Sequence, residues 1–206
     1  MFTSALAPVP SWFAEVLRRE LESTVSLSDL QIQQLYTHYD FLARWNQRMN
    51  LTTVKLGPEA VVRHYCESLF FAAHLPSEGG ASILDLGSGA GFPGVPLAIL
   101  KPEWRITLVE SHQRKAVFLR ESTRHLSNVN VLAERIESLS AQADWVVSRA
   151  VDPVEVLDNI PRLGQNVGLM IGEDDFFAIR HPRIAWDEAI RLPWGDRKLC
   201  VFGRST

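Results

Sequence analysis

The fold is indicated by residues 85 to 94, which read Asp85-Leu86-Gly87-Ser88-Gly89-Ala90-Gly91-Phe92-Pro93-Gly94. An apolar run, Ser82 to Leu86, precedes the glycines, and a second apolar run, Val95 to Leu100, follows them. Glycine is needed where the backbone turns tightly and must come close to a ligand without a Cβ in the way. We therefore predict a strand, a ligand-binding glycine turn and a helix, in that order.

Beyond this turn the sequence alternates between short apolar segments and helical stretches. After the strand that ends at Leu86, the strand candidates are 105–110, 128–133, 144–148 and 167–171. The clearest helix lies at 111–126. Near the end, 185–193 and 198–202 flank Trp194-Gly195-Asp196-Arg197, which is typical of a hairpin. We predict a doubly wound α/β fold with a mostly parallel, seven-stranded sheet and an antiparallel C-terminal hairpin.

The segment before the sheet has a helical pattern. Residues 28–50 read as an amphipathic helix, with Ser28 and Gln31 spaced as in a capping box, and residues 11–25 form a shorter helix. We expect an N-terminal helical extension over 1–75 and a ligand-binding domain over 76–206, packed as one compact unit.

Composition narrows the class of protein. The chain has 206 residues, of which 46% are hydrophobic, so one sizeable core can form. No apolar run approaches the ~20 residues of a membrane span, and the first basic residue is Arg18, so we expect a cytoplasmic protein without membrane contact. Two cysteines, Cys66 and Cys200, are too few for a disulfide framework, and His64 with Cys66 lacks a second metal-binding pair, so we expect no metal.

The glycines match two templates. Gly89, Gly91 and Gly94 fit the dinucleotide pattern, whereas Gly87, Gly89 and Gly91 after an acid fit the pattern that binds S-adenosylmethionine. Both templates expect an acidic residue after the second strand to hold ribose hydroxyls, and Glu110 stands there.

Charge favours the second template. A diphosphate needs free N–H donors and no nearby carboxylate, whereas S-adenosylmethionine carries a sulfonium and an ammonium group. Asp85 at the end of the first strand suits a cation, and Pro93 removes an N–H donor. A nicotinamide-dinucleotide-dependent oxidoreductase, a non-catalytic nucleotide-binding module and a purely structural turn remain the alternatives.

Several separate motifs occur in one order along the chain. They are Trp45-Asn46-Gln47-Arg48-Met49-Asn50-Leu51-Thr52, Arg63-His64, Glu67-Ser68-Leu69, the glycine turn with Pro96-Leu97-Ala98, Leu108-Val109-Glu110, Lys115 with Phe118-Leu119, Arg135-Ile136-Glu137 and Ser148-Arg149-Ala150. With these motifs the chain resembles the ribosomal RNA small subunit methyltransferase G family, also called glucose-inhibited division protein B, over most of its length. Two departures are Glu67, where the family often has Asp, and Ile171-Gly172, where it often has Lys-Gly.

The resemblance implies a Rossmann-like methyltransferase that moves a methyl group from S-adenosylmethionine to N7 of a guanine in 16S ribosomal RNA of the small subunit. It also implies that Gly87 and Phe92 line the cofactor site, that Ile136 and Glu137 border the adenine, and that Arg149 closes the site. Together with the residues found above, the expected cofactor-binding set is Asp85, Gly87, Gly89, Gly91, Phe92, Glu110, Ile136, Glu137 and Arg149.

This chemistry needs positioning rather than proton transfer. Guanine N7 has a lone pair and no proton to lose, so we expect no general base. The methylated base gains positive charge, which makes Arg149 a positioning group for cofactor or substrate rather than an acid catalyst. Ser148-Arg149-Ala150-Val151 also lacks the Asp/Asn-Pro-Pro-aromatic motif of amino-group methyltransferases.

An RNA substrate requires local positive charge, because the net charge of the chain is −3. The segment 44–64 is the best candidate. Its expected RNA-binding residues are Arg44, Arg48, Lys55, Arg63 and His64. Each alone could instead be a solvated or packed side chain, and His64 could be a core histidine. Whether bare RNA or the assembled subunit is the substrate stays open, although the acidic net charge suggests that ribosomal proteins contribute to docking.

Overall fold

The computed structural model describes residues 7–76, 79–179, 183–195 and 197–206. Its N-terminal part begins with helices α1 (Ser11–Leu21) and α2 (Asp29–Asn46). The predicted capping box is confirmed, because the Ser28 Oγ accepts from the Gln31 N–H while the Gln31 side chain accepts from the Ser28 N–H.

Helix α2 ends four residues before the predicted boundary at Asn50. The Asn46 Oδ1 accepts hydrogen bonds from the N–H groups of Leu51 and Thr52, at 2.8 and 3.0 Å, and so holds the chain in a loop. Among the described residues, three further helical segments follow before the sheet, and the sequence pattern did not predict their bounds. They are α3 (Pro58–Ala60), a π-helical turn (Val61–Cys66) and α4 (Glu67–His74).

In the part of the chain that the structure describes, the sheet has seven strands along one hydrogen-bonded path, as predicted, and one further short strand. The strands are β1 (Ser82–Leu86), β2 (Arg105–Val109), β3 (Val129–Leu132), β4 (Ala143–Arg149), β5 (Gly164–Gly172), β6 (Ile184–Trp186), β7 (Ile190–Arg191) and β8 (Lys198–Ser205). The path runs β3-β2-β1-β4-β5-β8-β6, and β7 also pairs with β8. Strands β1 to β5 are parallel, and β8 runs antiparallel to β5, β6 and β7.

The C-terminal hairpin is confirmed by its register, in which Ile190 faces Cys200 and Arg191 faces Leu199. Of the predicted turn, Asp196 lies outside the described residues. The helical segments after α4 are α5 (Gly94–Leu100), α6 (Gln113–Ser122), a 3₁₀ turn (Ile136–Ser138), α7 (Pro153–Leu163) and α8 (Glu173–Ala178).

Alternate residues of each central strand face opposite sides of the sheet, and each side has its own apolar core. Ile83 and Trp145 pack in the core that holds α5 and α6, whereas Leu84 and Val146 pack in the core that holds α7. Helices on both faces make the fold doubly wound, as predicted. Phe13 of α1 is fully buried in the first core, so the N-terminal helices and the sheet share one apolar interior.

Strand β1 lies between β2 and β4. From β1 the chain first builds β2 and β3 on one side, and then crosses to the other side of β1 to build β4 and β5. In open parallel sheets such a switch point leaves a crevice beyond the carboxyl ends of the strands. The glycine turn follows β1 at this crevice. In the described part of the chain, no helix is both long and apolar enough to cross a bilayer.

Candidate functional site

Two positions of the turn after β1 require glycine. Gly87 has a φ of +67°, and a Cβ there would lie 2.3 Å from the Val151 Cγ2. Gly91 has a φ of +92°, and its Cβ would lie 2.7 Å from the Val95 Cγ2. Side chains other than hydrogen are therefore excluded by backbone strain and by space.

Asp85 lies behind this turn. Its side chain is buried, and its Oδ2 accepts a hydrogen bond of 3.0 Å from the N–H of Gly94, the first residue of α5. Burial raises the pKa of Asp85 to about 7. In this structure the side chain braces the start of α5, and a direct contact between Asp85 and a cationic ligand stays a prediction.

Glu110 stands immediately after β2, beside the turn. Its two carboxylate oxygens accept hydrogen bonds from the N–H groups of Gly89, at 3.0 Å, and His112, at 2.7 Å. Further along the turn, the N–H groups of Gly91 and Phe92 donate to the carbonyl of Ser88. Hydrogen bonds within the protein thus occupy the N–H groups of Gly89, Gly91, Phe92 and Gly94 that a diphosphate could use.

A cleft of about 200 Å³ opens at the carboxyl ends of β1 and β2, and we call it the Gly87 cleft. Its lining residues are Gly87, Val109, Ser111, Glu134, Arg135, Ile136, Glu137, Val151 and Glu155. Three of them, Gly87, Ile136 and Glu137, belong to the cofactor set expected from the sequence. The lining also contains more negative than positive groups, since it has the carboxylates of Glu134, Glu137 and Glu155 and the guanidinium of Arg135. This charge favours a positively charged ligand. A larger cavity of about 340 Å³ involves Ser82, Arg105 and Asn128 at the opposite, amino edge of the sheet.

Arg149 ends β4 and joins a buried cluster of charges. Its Nη2 donates to the carbonyl of Arg63 and to the Glu67 Oε2, both at 2.7 Å. The Lys198 Nζ lies 3.2 Å from both oxygens of Glu67. Within the described residues the buried Arg149 Nη1 has no hydrogen-bond partner, so its N–H groups are unsatisfied.

Sequence reasoning missed Glu67 and Lys198 as members of this cluster. Lys198 begins β8 and faces Gly172 of β5 in the strand register, so it supplies a cation at the edge where Ile171 departs from the family pattern. Glu67 could have been recognised from its position, because it precedes the mostly apolar segment Ser68 to Ala72. A carboxylate that is buried with such a segment needs a buried partner.

Phe92 lies beneath the turn, among aromatic side chains, and does not line the Gly87 cleft. Its ring stacks on His64 with centroids 4.8 Å apart, and it meets His38 edge-on at 5.4 Å and Tyr65 at 5.0 Å. In this structure Phe92 supports the turn from within the aromatic cluster, and its contact with the cofactor stays a prediction.

His64 is also placed differently from the expectation of RNA contact. Its Nε2 bonds to the Thr52 Oγ1 at 2.8 Å, and its Nδ1 is buried. Burial, together with the positive charges of Arg149 and Lys198, lowers the pKa of His64 to about 3. The imidazole is packed on Phe92 and hydrogen-bonded to Thr52, which favours the alternative of a core histidine.

Only two of the remaining basic residues of the segment 44–64 line the same groove. Arg44 and Arg48 are exposed and line a groove that also contains Arg114. Lys55 is exposed outside this groove, and Arg63 forms an ion pair of 3.6 Å with Glu59. Sequence reasoning missed Arg114, which reaches the groove from α6. Groups of three or more metal-ligating side chains do not occur among the described residues.

The chain is similar in sequence to known proteins that share one name. A family model described as "rRNA small subunit methyltransferase G" matches residues 31–174. The chain is similar to the "Ribosomal RNA small subunit methyltransferase G" of Nitrosomonas europaea, with 41% identity over 126 residues that make up 59% of this chain and 58% of that protein. It is 34% identical to the protein of the same name from Burkholderia lata, over 84% of this chain and 77% of that one.

Among solved structures, the fold is similar to the N-methyltransferase NodS from Bradyrhizobium japonicum in complex with S-adenosyl-L-homocysteine. The TM-score is 0.60 at 16% identity, and the match covers 82% of this chain and 98% of that chain. At this identity the similarity concerns the fold alone. The match to the Nitrosomonas europaea protein spans less than two thirds of that protein's length.

Proposed function

The chain belongs to the rRNA small subunit methyltransferase G family, and from this membership we propose that it transfers a methyl group from S-adenosylmethionine to N7 of a guanine in 16S ribosomal RNA. The observation that carries this function is the pairing of an acid-lined Gly87 cleft with a glycine turn that offers few free N–H donors. Such a site suits a cationic ligand and disfavours a diphosphate.

The residues at the cleft fit this cofactor. Gly87 has no Cβ, so the Val151 side chain packs directly against the turn, and both residues line the cleft. We propose that the Glu110 carboxylate, which follows β2 and accepts hydrogen bonds from the Gly89 and His112 N–H groups, also accepts hydrogen bonds from the ribose hydroxyls. Ile136 and Glu137 supply an apolar and a polar wall for the adenine. When bound, S-adenosylmethionine supplies an electrophilic methyl group.

Four residues of the expected cofactor-binding set hold the turn in its conformation. They are Gly89, Gly91, Asp85 and Phe92. Gly89 and Gly91 adopt positive φ angles of 57° and 92°, which let the turn close on Glu110 and over His38. Asp85 fixes the start of α5 behind the turn, and Phe92 packs below it. We therefore assign to these four residues the positioning of the turn.

Proton transfer is not needed, because guanine N7 presents a lone pair. The protein must hold that nitrogen in line with the methyl group, at about 3 to 3.5 Å before transfer. We assign this positioning to Arg149, whose Nη1 has no partner among the described residues and can bind an oxygen of the cofactor or of the base. Ala150, with a φ of +63°, turns the chain sharply after Arg149 and brings Val151 over Gly87.

The RNA would approach from the side of the exposed basic residues. We propose contacts to phosphates from Arg44, Arg48 and Lys55, which are all exposed, and from the partly buried Arg63. Because the net charge of the chain is −3, we also propose that the substrate is the small subunit, whose proteins add docking contacts.

A comparison of ligands separates this function from a nicotinamide-dependent oxidoreductase or a nucleotide-binding module. In a thermal-shift measurement we expect S-adenosylhomocysteine to raise the melting temperature and NAD to leave it unchanged. The reverse result would refute the methyltransferase. Mass mapping of RNA after incubation with subunits that lack the modification should locate one added methyl group on a guanine, and bare 16S RNA in parallel tests the need for the subunit.

A further inference from the structure

A second concave surface lies between the carboxyl end of α2 and the amino end of α6, and we call it the arginine groove. Its volume is about 660 Å³, compared with about 200 Å³ for the Gly87 cleft. It is lined by Arg44, Trp45, Gln47, Arg48, Met49, Arg114 and Val117.

The charge of the groove is one-sided. Three of its lining residues are arginines and none is acidic. Arg44 pairs with Asp40, but Arg48 and Arg114 are exposed and have no ion-pair partner among the described residues. In a chain of net charge −3, this concentration of free guanidinium groups fits a polyanion.

The floor of the groove is apolar. The Val117 side chain is 44% exposed, and the Trp45 ring packs on Phe118 with centroids 5.8 Å apart. Together with Met49 these side chains offer an apolar surface directly beside the arginines. A base that has left its helix can cover such a surface, whereas bases stacked inside a duplex cannot reach it.

The groove opens at the same edge of the sheet as the Gly87 cleft. Ser111 lines the cleft, and Arg114, three residues later in the first turn of α6, lines the groove. One RNA segment can therefore contact the groove while a neighbouring nucleotide enters the cleft.

We infer that the arginine groove binds an unpaired stretch of the RNA substrate, and this inference rests on the function proposed above. Arg48 and Arg114 contact successive phosphates, and one unstacked base lies on Val117 and Met49. Arg114 and the apolar floor thereby join Arg44 and Arg48 in the RNA-binding surface.

The test measures binding of a fluorescein-labelled, ten-nucleotide single-stranded RNA to the full chain by fluorescence anisotropy, at several salt concentrations. The double variant Arg48→Gln/Arg114→Gln should bind at least about tenfold more weakly, and its plot of log Kd against log salt should lose about 0.7 of slope for each lost phosphate contact. The matched control Arg124→Gln removes an exposed arginine beyond the carboxyl end of α6, outside the groove, and should bind as the unmodified chain does.

A second variant tests the apolar floor. Val117→Ser should weaken binding of the single strand by about threefold, because a base loses apolar contact, and leave binding of a duplex of the same length unchanged. Equal weakening for single strand and duplex would overturn the assignment of a base to this floor.

Calorimetry with S-adenosylhomocysteine separates the groove from the proposed function. If the double variant binds the single strand as tightly as the unmodified chain, the groove assignment is overturned while cofactor binding still supports the methyltransferase. If the unmodified chain binds no S-adenosylhomocysteine, the proposed function itself fails. If the double variant loses methylation of subunits but keeps its affinity for the single strand, the groove holds an acidic protein segment, and RNA is excluded there.

Discussion

The Arg149 guanidinium and the Glu67 carboxylate form an ion pair of 2.7 Å in the protein interior, with the Glu67 side chain only 1% exposed. Because Lys198 also contacts Glu67 at 3.2 Å, one buried carboxylate balances two cations. Glu67→Gln should therefore lower the free energy of unfolding by about 3 kcal/mol, since two positive groups lose their counter-charge. Urea denaturation measures this loss.

The same variant should also reduce methylation, because Arg149 is no longer held in place. Glu67→Asp keeps the charge and should recover most of the stability. The control Glu59→Gln removes an exposed partner of Arg63 and should change the free energy of unfolding by less than about 0.5 kcal/mol. Unchanged methylation by Glu67→Gln would show that the buried pair does not position Arg149, and unchanged stability would show that the two cations do not depend on this counter-charge.

A methyl group at position 87 should close the cofactor cleft. Gly87→Ala puts a Cβ 2.3 Å from the Val151 Cγ2 on a backbone with a φ of +67°, so the affinity for S-adenosylhomocysteine should fall at least about tenfold. The double variant Gly87→Ala/Val151→Ala relieves the clash and should regain part of that affinity, which calorimetry can measure.

Gly79→Ala is the matched control for this substitution. Gly79 also has a positive φ, +73°, but a Cβ there would meet nothing within 4 Å, and the residue lies outside the cleft. Its variant should bind S-adenosylhomocysteine normally. Unchanged affinity in Gly87→Ala would remove the Gly87 cleft from consideration as the cofactor site.

The stacked pair of His64 and Phe92 should make the fold sensitive to acid. Burial lowers the pKa of His64 to about 3, whereas an unfolded histidine titrates near 6.5. The folded state therefore binds the proton less readily, and stability that is complete above pH 6.5 is lost as the pH falls toward 3. Between pH 6.5 and 4.5 the loss should be on the order of 2 kcal/mol.

His64→Phe keeps a ring against Phe92 and cannot titrate, so its free energy of unfolding should fall less over this pH interval. Urea denaturation at several pH values measures the difference. His112→Gln, which changes an exposed histidine, should parallel the unmodified chain. Parallel curves for His64→Phe as well would mean that His64 is accessible to protons in the folded protein.

Local patterns predicted most of the fold. The alternation of apolar strands and helices predicted β1 to β5, and the Trp194-Gly195 turn predicted the hairpin. The capping box at Ser28 predicted the start of α2. The sequence pattern did not predict helix α4, because every side chain from Glu67 to Ala72 is buried. Such a helix lacks the amphipathic period that marks a surface helix.

Candidate site residues could be predicted from the sequence only in two situations. In one the backbone conformation requires glycine, and in the other the residue directly follows a strand. Gly87 is an example of the first and Glu110 of the second. The pairing of Glu67 with Arg149 joins residues 82 positions apart, and Lys198 lies still further along the chain, so no local pattern could show it. The sequence also did not show in which direction a side chain points. It therefore could not show that the Asp85 side chain and the His64 Nδ1 are buried in the interior.

The buried Asp85 should give stability a dependence on pH opposite to that of His64. Burial raises the pKa of Asp85 to about 7 from an ordinary value near 3.8. The folded state thus favours the protonated carboxyl, and its contribution is complete below pH 3.8 and lost as the pH rises through 7. Asp85→Asn cannot ionise, and its amide oxygen can still accept the Gly94 N–H. Relative to the unmodified chain, the variant should gain a few kcal/mol of unfolding free energy between pH 4 and 8.

Asp144→Asn provides the control for this change, because hydrogen bonds from Ser82 lower the pKa of Asp144 at the exposed, opposite edge of the sheet. That carboxylate is ionised in both folded and unfolded states between pH 5 and 8, so the curve of Asp144→Asn should parallel that of the unmodified chain over this interval. If Asp85→Asn also runs parallel, Asp85 is ionised in the folded protein. A carboxylate that is charged at neutral pH behind the turn would support Asp85 as a direct partner of the cofactor's positive charge, and S-adenosylmethionine should then bind Asp85→Asn more weakly than S-adenosylhomocysteine does.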